Sequence, residues 1–197
     1  MNHIMLDLET MSTLPNAAIT SIGACVFDFS DGPIDHKFYS PVSLKSSKAA
    51  GLDIDTGTIE WWMQQSDEAR QQTFGAFDKP ALGTALEKFN DWVRGFGVVG
   101  VWGNGATFDN VVIRSAMRAC GIDPCWSFRA DKCYRTVSTL LPPHMRPEFV
   151  RHGTFHNALD DAISQALHLR EVMKVLEGRT ISLKVENYIA TPDQAAA

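Results

Sequence analysis

The chain has 197 residues, 45% of them hydrophobic and 21% charged, with a formal net charge of −5. That length suffices for one substantial domain or two very small ones, and the balance is ordinary for a globular protein with a real core. They argue against a bilayer-spanning segment, a secretory leader and a protein that coats nucleic acid through bulk positive charge, so a cytoplasmic protein without membrane contact is expected.

The first element read from the pattern is a strand over His3-Ile4-Met5-Leu6-Asp7-Leu8-Glu9-Thr10, short, apolar and bounded by Thr13-Leu14-Pro15-Asn16. A second strand spans Ile19 to Phe27. A third, Lys37 to Val42, follows Asp31-Gly32-Pro33, giving three strands in an antiparallel meander. Lys45 to Gly57 reads as a loop, and Thr58 opens a helix carrying Ile59, Trp61, Trp62 and Met63. Leu82, Leu86, Phe89, Trp92, Val93 and Phe96 repeat at helical spacing until Gly95 and Gly97 close the helix.

Val98 to Trp102 is a short β-rich run ending in the turn Gly103-Asn104-Gly105, after which Asp109 or Asn110 caps a helix through Cys120. Trp126 to Arg129 reads as a strand and Asp131 as the cap of a short helix broken by Pro142-Pro143. A long helix from Asn157 to Leu176 ends at Gly178. The expected organisation is one domain over residues 1–180 and an extension over 181–197 with a frayed end. Strands first, then strands alternating with helices, predict an α/β fold: a mixed sheet flanked by α-helices. Cys25, Cys120, Cys125 and Cys133 lack paired spacing, so free thiols are expected rather than a zinc ribbon.

Chemistry concentrates at three places. Side chains alternate along a strand, so Met5, Asp7 and Glu9 share one face of the first strand. Two carboxylates side by side on a buried face are costly unless a cation neutralises them, and hard oxygen ligands suit magnesium or manganese. Asp109 stands just after a buried strand at a helix start, where capping alone would explain it. His156, Asp160 and Asp161 open the last helix, where acids also complement the helix dipole. A helical wheel does not choose between Asp160 and Asp161.

Taken together, these segments resemble the DEDDh exonucleases. Asp7-Leu8-Glu9-Thr10 is similar to that family's first motif, and Asn104-Gly105-Ala106-Thr107-Phe108-Asp109 to its second. His156-Asn157-Ala158-Leu159-Asp160-Asp161-Ala162 resembles the third, which selects Asp161. Each motif alone is weak, but all three in order over positions 7 to 161 are specific. The opening is most similar to prophage-type 3′–5′ exonucleases, and the order of elements fits a ribonuclease H-like fold.

The resemblance implies a divalent-metal-dependent 3′–5′ exonuclease that cuts single-stranded DNA or RNA 3′ ends to nucleoside 5′-monophosphates. Asp7, Glu9, Asp109 and Asp161 would hold two Mg²⁺ or Mn²⁺ ions per active site, and His156 would be the general base. Thr10, Met11, Phe108 and Trp61 are candidates for the terminal nucleotide's pocket, through stacking and packing. Lys132, Arg135, Arg146 and Arg151 are candidate phosphate contacts. Related enzymes are often dimers, so a homodimer is a further expectation.

Two other readings compete. Gly103-Asn104-Gly105-Ala106-Thr107-Phe108 follows a strand as a dinucleotide-binding loop would, but Phe108 stands where a third glycine belongs. The fold could also serve as a catalytically inactive nucleic-acid-binding module, against which all five catalytic positions carry the right residue types.

Overall fold

Strand β1, His3–Thr10, is the centre of the molecule. Ile4, Leu6 and Leu8 enter one hydrophobic core, while Met5 enters a second core on the opposite face. Strand β2, Ile19–Phe27, pairs antiparallel with β1, and β3, Lys37–Pro41, pairs antiparallel with β2. Helices α1 (Leu44–Ala49), α2 (Thr56–Met63), α3 (Asp67–Phe74) and α4 (Leu82–Arg94) follow. Strand β4, Gly100–Gly103, then returns to the sheet parallel to β1. Helix α5, Asp109–Ala119, leads to β5, Asp131–Cys133, which lies parallel to β4 at the sheet edge. Helices α6, Tyr134–Thr139, and α7, Ala158–Ile189, follow. The computed structural model describes residues 1–75, 78–105 and 107–189, with the backbone alone over 179–189.

Among the described residues, five strands run in the order β3-β2-β1-β4-β5, a mixed sheet. Leu82, Leu86, Phe89 and Val93 of α4 and Val112, Ile113 and Met117 of α5 pack with Ile4, Leu6 and Leu8. Ala162, Ala166 and Leu169 of α7 cover Met5, Cys25, Phe27 and Trp102 on the other face. The small residues Ala158, Ala162 and Ala166 let α7 approach the sheet closely, and Asp7 and Glu9 are on the face that α7 covers.

Several elements differ from the sequence-based expectation. Residues 44–49 form α1 rather than a loop, anchored by the wholly buried Ser47, whose hydroxyl donates to the Ile19 carbonyl (2.9 Å). Asp55, not Thr58, caps α2, accepting from the Thr58 amide (2.7 Å). Helix α3 was unforeseen because Asp-Glu-Ala-Arg-Gln-Gln carries no apolar stripe; the Ser66 cap and an acidic first turn mark it instead. The fifth strand is Asp131–Cys133, not Trp126–Arg129. Arg114 and the Trp126 indole both donate to the Asp131 carboxylate and hold it in the sheet. The Cys133 thiol, not Asp131, caps α6. Helix α7 continues through Gly178 to Ile189, because an interior glycine costs a helix only about 1 kcal/mol against alanine. Of the extension expected over 181–197, residues 190–197, and with them the end expected to fray, lie outside the described residues.

Candidate active site

The site begins with the last turn of pleat in β1. Asp7 and Glu9 project toward α7, where the Gln165 amide donates to Asp7 Oδ1 (2.7 Å). Glu9 is 8% exposed. Burial, followed by the charges of Asp109, Glu9 and Asp161, pushes the Asp7 carboxyl well above its usual range. Burial and then Asp161 and Asp109 push Glu9 up to about 8. The strand is pinned just past these acids by the Trp62 indole, which donates to the Thr10 carbonyl (2.9 Å).

Asp109 does not cap its own helix. Its carboxylate reaches back to accept from the Leu8 amide (3.2 Å) and the Asn104 amide (2.7 Å), so it clamps the end of β4 to β1. Burial raises it to about 6 even though those two amides and Arg135 favour the charged form. Gly103 makes this turn possible, since a Cβ there would stand 2.8 Å from the Asp109 Cβ.

The third segment enters at α7. Asn157 caps the helix, its side-chain oxygen accepting from the Leu159 and Asp160 amides (3.0 and 3.1 Å). Asp161 then faces the cavity with one oxygen accepting from the His156 amide (3.1 Å) and the other paired with Arg151. Burial raises its carboxyl and Arg151 opposes that rise. Asp160 points elsewhere, accepting from the Thr154 amide (2.7 Å), which resolves the ambiguity of the helical wheel. His156 has φ = 61°, the one non-glycine residue with positive φ among those described. Backbone in this sparsely occupied region persists where surrounding contacts over-determine it. The Trp61 and Trp62 rings meet the imidazole edge-on at 4.9 and 5.7 Å between centroids. Burial and then Arg151 lower its pKa, and its Nε2 is buried without a hydrogen-bond partner.

Asp7, Glu9, Asp109, His156 and Asp161 thus line one cavity of about 510 Å³. Thr10, Trp61 and Phe108 line an adjoining one of about 440 Å³, apolar in character, which shares Leu8, Glu9 and Phe108 with the first. Met11 is corrected: it is wholly buried in the hydrophobic core and supplies packing, not a substrate surface. Of the four cations, Arg135 and Arg151 line the larger cavity; Lys132 and Arg146 do not, and Arg146 instead donates to the Leu141 carbonyl (2.8 Å). Sequence reasoning passed over Gln165, which is 4% exposed with an unpartnered amide oxygen. Its position one helical turn beyond Asp161 was the available signal.

The donor set fits a hard divalent cation. Four crowded acids held above their ordinary pKa values are relieved by positive charge, and carboxylate oxygens suit such an ion. Ligand-capable atoms of Glu9, His156 and Asp161 lie within 4.8 Å of one another, and the Gln165 amide oxygen and His156 Nε2 are buried without a hydrogen-bond partner.

The family model described as the 3′-5′ exoribonuclease Rv2179c-like domain matches residues 2–173. The chain belongs to this family. It is a 3′–5′ exonuclease. An exodeoxyribonuclease of Enterobacteria phage T4 is 26% identical over 208 residues, covering 88% of this chain and 91% of the phage protein. The nuclease domain of 3′hExo, a DEDDh family member solved with rAMP bound, matches with a TM-score of 0.59 at 13% identity, covering 88% of this chain and 92% of that one. E. coli exonuclease I in complex with a dA16 oligonucleotide matches with a TM-score of 0.62 at 13% identity, over 88% of this chain and 41% of that enzyme. At such identities the likeness is one of fold, the ribonuclease H-like architecture of DEDDh exonucleases. The dinucleotide-binding alternative is set aside, and the Asn104 amide that a phosphate would need is taken by the Asp109 carboxylate.

Proposed function

We propose that this exonuclease shortens single-stranded nucleic acid from its 3′ end, releasing nucleoside 5′-monophosphates, with two Mg²⁺ or Mn²⁺ ions held by Asp7, Glu9, Asp109 and Asp161. One observation carries the proposal: acids from three distant segments converge in one cavity beside a histidine whose Nε2 is buried and unpartnered. When bound, the ions supply positive charge for the phosphoryl oxygens and ease ionisation of water.

The chain's own groups do the rest. Neutral His156 Nε2 accepts the proton of the attacking water, and the lowered imidazole pKa keeps it neutral for that task. As the water oxygen bonds to phosphorus, the bond to the 3′ oxygen breaks and that oxygen takes its proton from solvent. Gln165 holds the Asp7 carboxylate in orientation, and the Asn104 and Leu8 amides hold Asp109. The smaller cavity between Thr10, Phe108 and Trp61 receives the terminal nucleoside by stacking and apolar contact.

The family is described by an exoribonuclease and the phage relative is an exodeoxyribonuclease, so the proposal takes in both sugars. Matched 5′-labelled DNA and RNA oligonucleotides, digested with Mg²⁺, Mn²⁺ or chelator, test it. Metal-dependent ladders shortening from the 3′ end support the proposal. Intact oligonucleotide with folded protein and either metal would count decisively against it and favour the non-catalytic binding module.

A further inference from the structure

Residues 147–156 form an irregular strap across the N-terminal half of α7, and its backbone is tied down at three points. His168 Nε2 contacts the Pro147 carbonyl (3.0 Å), the His152 amide donates to Ser164 Oγ (2.9 Å), and the Thr154 amide donates to Asp160 (2.7 Å). The strap is two-sided: Phe149, Arg151 and Phe155 line the catalytic cavity, while Glu148, Val150 and His152 line a separate cavity of about 560 Å³ behind it. Arg151 is therefore delivered to the acids by a fixed backbone. Its guanidinium lies over the Phe155 ring at 4.0 Å and 5.6 Å from that of Phe149, and it pairs with Asp161 Oδ1.

Asp161 thus has both oxygens engaged, one by Arg151 and the other by the His156 amide. Arginine does not lose its charge in proteins. A divalent ion and a guanidinium on one carboxylate repel each other, so a cation taking Asp161 would weaken its pair with Arg151. Released from Asp161, the guanidinium would still lie against the Phe149 and Phe155 rings, in the wall of the cavity that must admit a strand's phosphates. The fork matches phosphate geometry.

We propose that Arg151 is a substrate-binding residue that exchanges partners: it neutralises Asp161 in the metal-free enzyme and, once a divalent cation takes that carboxylate, binds a phosphate of the single strand. The inference rests on the metal-dependent reading above. It makes metal and oligonucleotide favour each other's binding through one side chain.

The test uses the full chain and compares wild type with Arg151→Gln and Arg151→Lys. Mn²⁺ affinity is measured by calorimetry without oligonucleotide, and the KM for a single-stranded oligonucleotide is measured at saturating Mn²⁺. Because the Arg151 side chain is 37% exposed, the pair competes only modestly. Arg151→Gln is expected to bind Mn²⁺ roughly two- to tenfold more tightly while its KM rises about tenfold, the scale of one partly exposed charged contact. Arg151→Lys keeps the charge and so keeps Mn²⁺ affinity near wild type, yet loses the fork and raises KM. Unchanged or weaker Mn²⁺ binding by a folded Arg151→Gln protein, or an unchanged KM, overturns the exchange alone. Wild-type protein that binds no Mn²⁺ overturns the metal-dependent reading and the exchange with it.

Discussion

Gly23 of β2 and Ala158 of α7 pack backbone to backbone: a Cβ placed on Gly23 would stand 2.1 Å from the Ala158 carbonyl carbon. Gly23 is also the cross-strand partner of Asp7. The first turn of α7, which carries Asp161, is thereby seated directly beside the first acid of the site, and only a residue without a side chain allows it.

Gly23→Ala is expected to damage function more than fold. Overpacking costs typically 1–3 kcal/mol, and here the obstruction is backbone that no rotamer change relieves. A shift of α7 by about 1 Å would separate Asp161 and Gln165 from Asp7 and Glu9, a misplacement able to cost ~10²-fold in rate. Thermal melting with a turnover assay checks this: a variant of near-normal activity would show that α7 can move freely.

The acids set the pH dependence of the metal-free protein. Glu9 is raised from 4.5 to about 8 and Asp109 from 3.8 to about 6, burial being the first cause of each. A raised carboxyl keeps its proton in the folded chain after the unfolded chain has released it. Stability from Glu9 is therefore full below about pH 4.5 and is lost as pH rises through about 8. Chelated protein should melt progressively lower over that window, and divalent ion should stabilise it more at pH 8 than at pH 5, since ligation needs the ionised acids. Melts with and without Mn²⁺ at the two pH values decide it; a flat profile in chelator would contradict the assigned burial.

Asp7→Asn should abolish turnover while metal-free stability holds or rises, because it relieves repulsion and still accepts from Gln165. Asp161→Asn should abolish turnover too, but with a smaller stability gain, because it also weakens the Arg151 pair. Differential melts in chelator measure the contrast. A large stability loss in both variants would make these acids structural.

His156→Ala is expected to lose ~10²–10⁴-fold in turnover, the usual worth of a positioned base, with metal affinity little changed because carboxylates supply the ligands. Since burial and Arg151 lower the imidazole pKa, the acid limb of the wild-type rate profile should lie below the ordinary value of 6.5. Rate against pH for both proteins, with Mn²⁺ affinity measured separately, tests this. A strong loss of metal binding would instead place His156 among the ligands, beside Glu9 and Asp161.

Adjacent tryptophans should behave oppositely. Trp62 is 1% exposed and holds the Thr10 carbonyl, so Trp62→Ala should destabilise the fold by about 3–5 kcal/mol. Trp61 is 43% exposed on the wall of the smaller cavity, so Trp61→Ala should raise KM with a minor change in melting temperature. Chemical denaturation and KM measured on both variants check the division.

Strands β1 and β2 were legible because they are short, mostly buried runs between marked turns, and α4 because its apolar residues recur at helical spacing. The three motifs were legible because each is local. What escaped is what tertiary contact decides. Helix α3 owes its place to a cap and to Asn157 reaching Gln72 (2.7 Å), and β5 owes its place to Arg114 and Trp126 converging on Asp131. Arg151 looked like one scattered cation among four, since nothing in the strap's composition says that alternate residues face opposite cavities. Met11 looked available because it follows the first motif, but the chain turns inward after Thr10.

The bond between Asp7 and Gln165 spans 158 residues of chain. Asp7 leaves the ribosome long before the groups of α7 that complete its surroundings, and no partial chain ending before α7 contains them. Closing so long a loop is slow compared with forming the β1–β2 hairpin. During synthesis the sheet can therefore gather its first two acids well before anything able to cut a phosphodiester exists. A cell making this protein meets the nuclease only once α7 has docked.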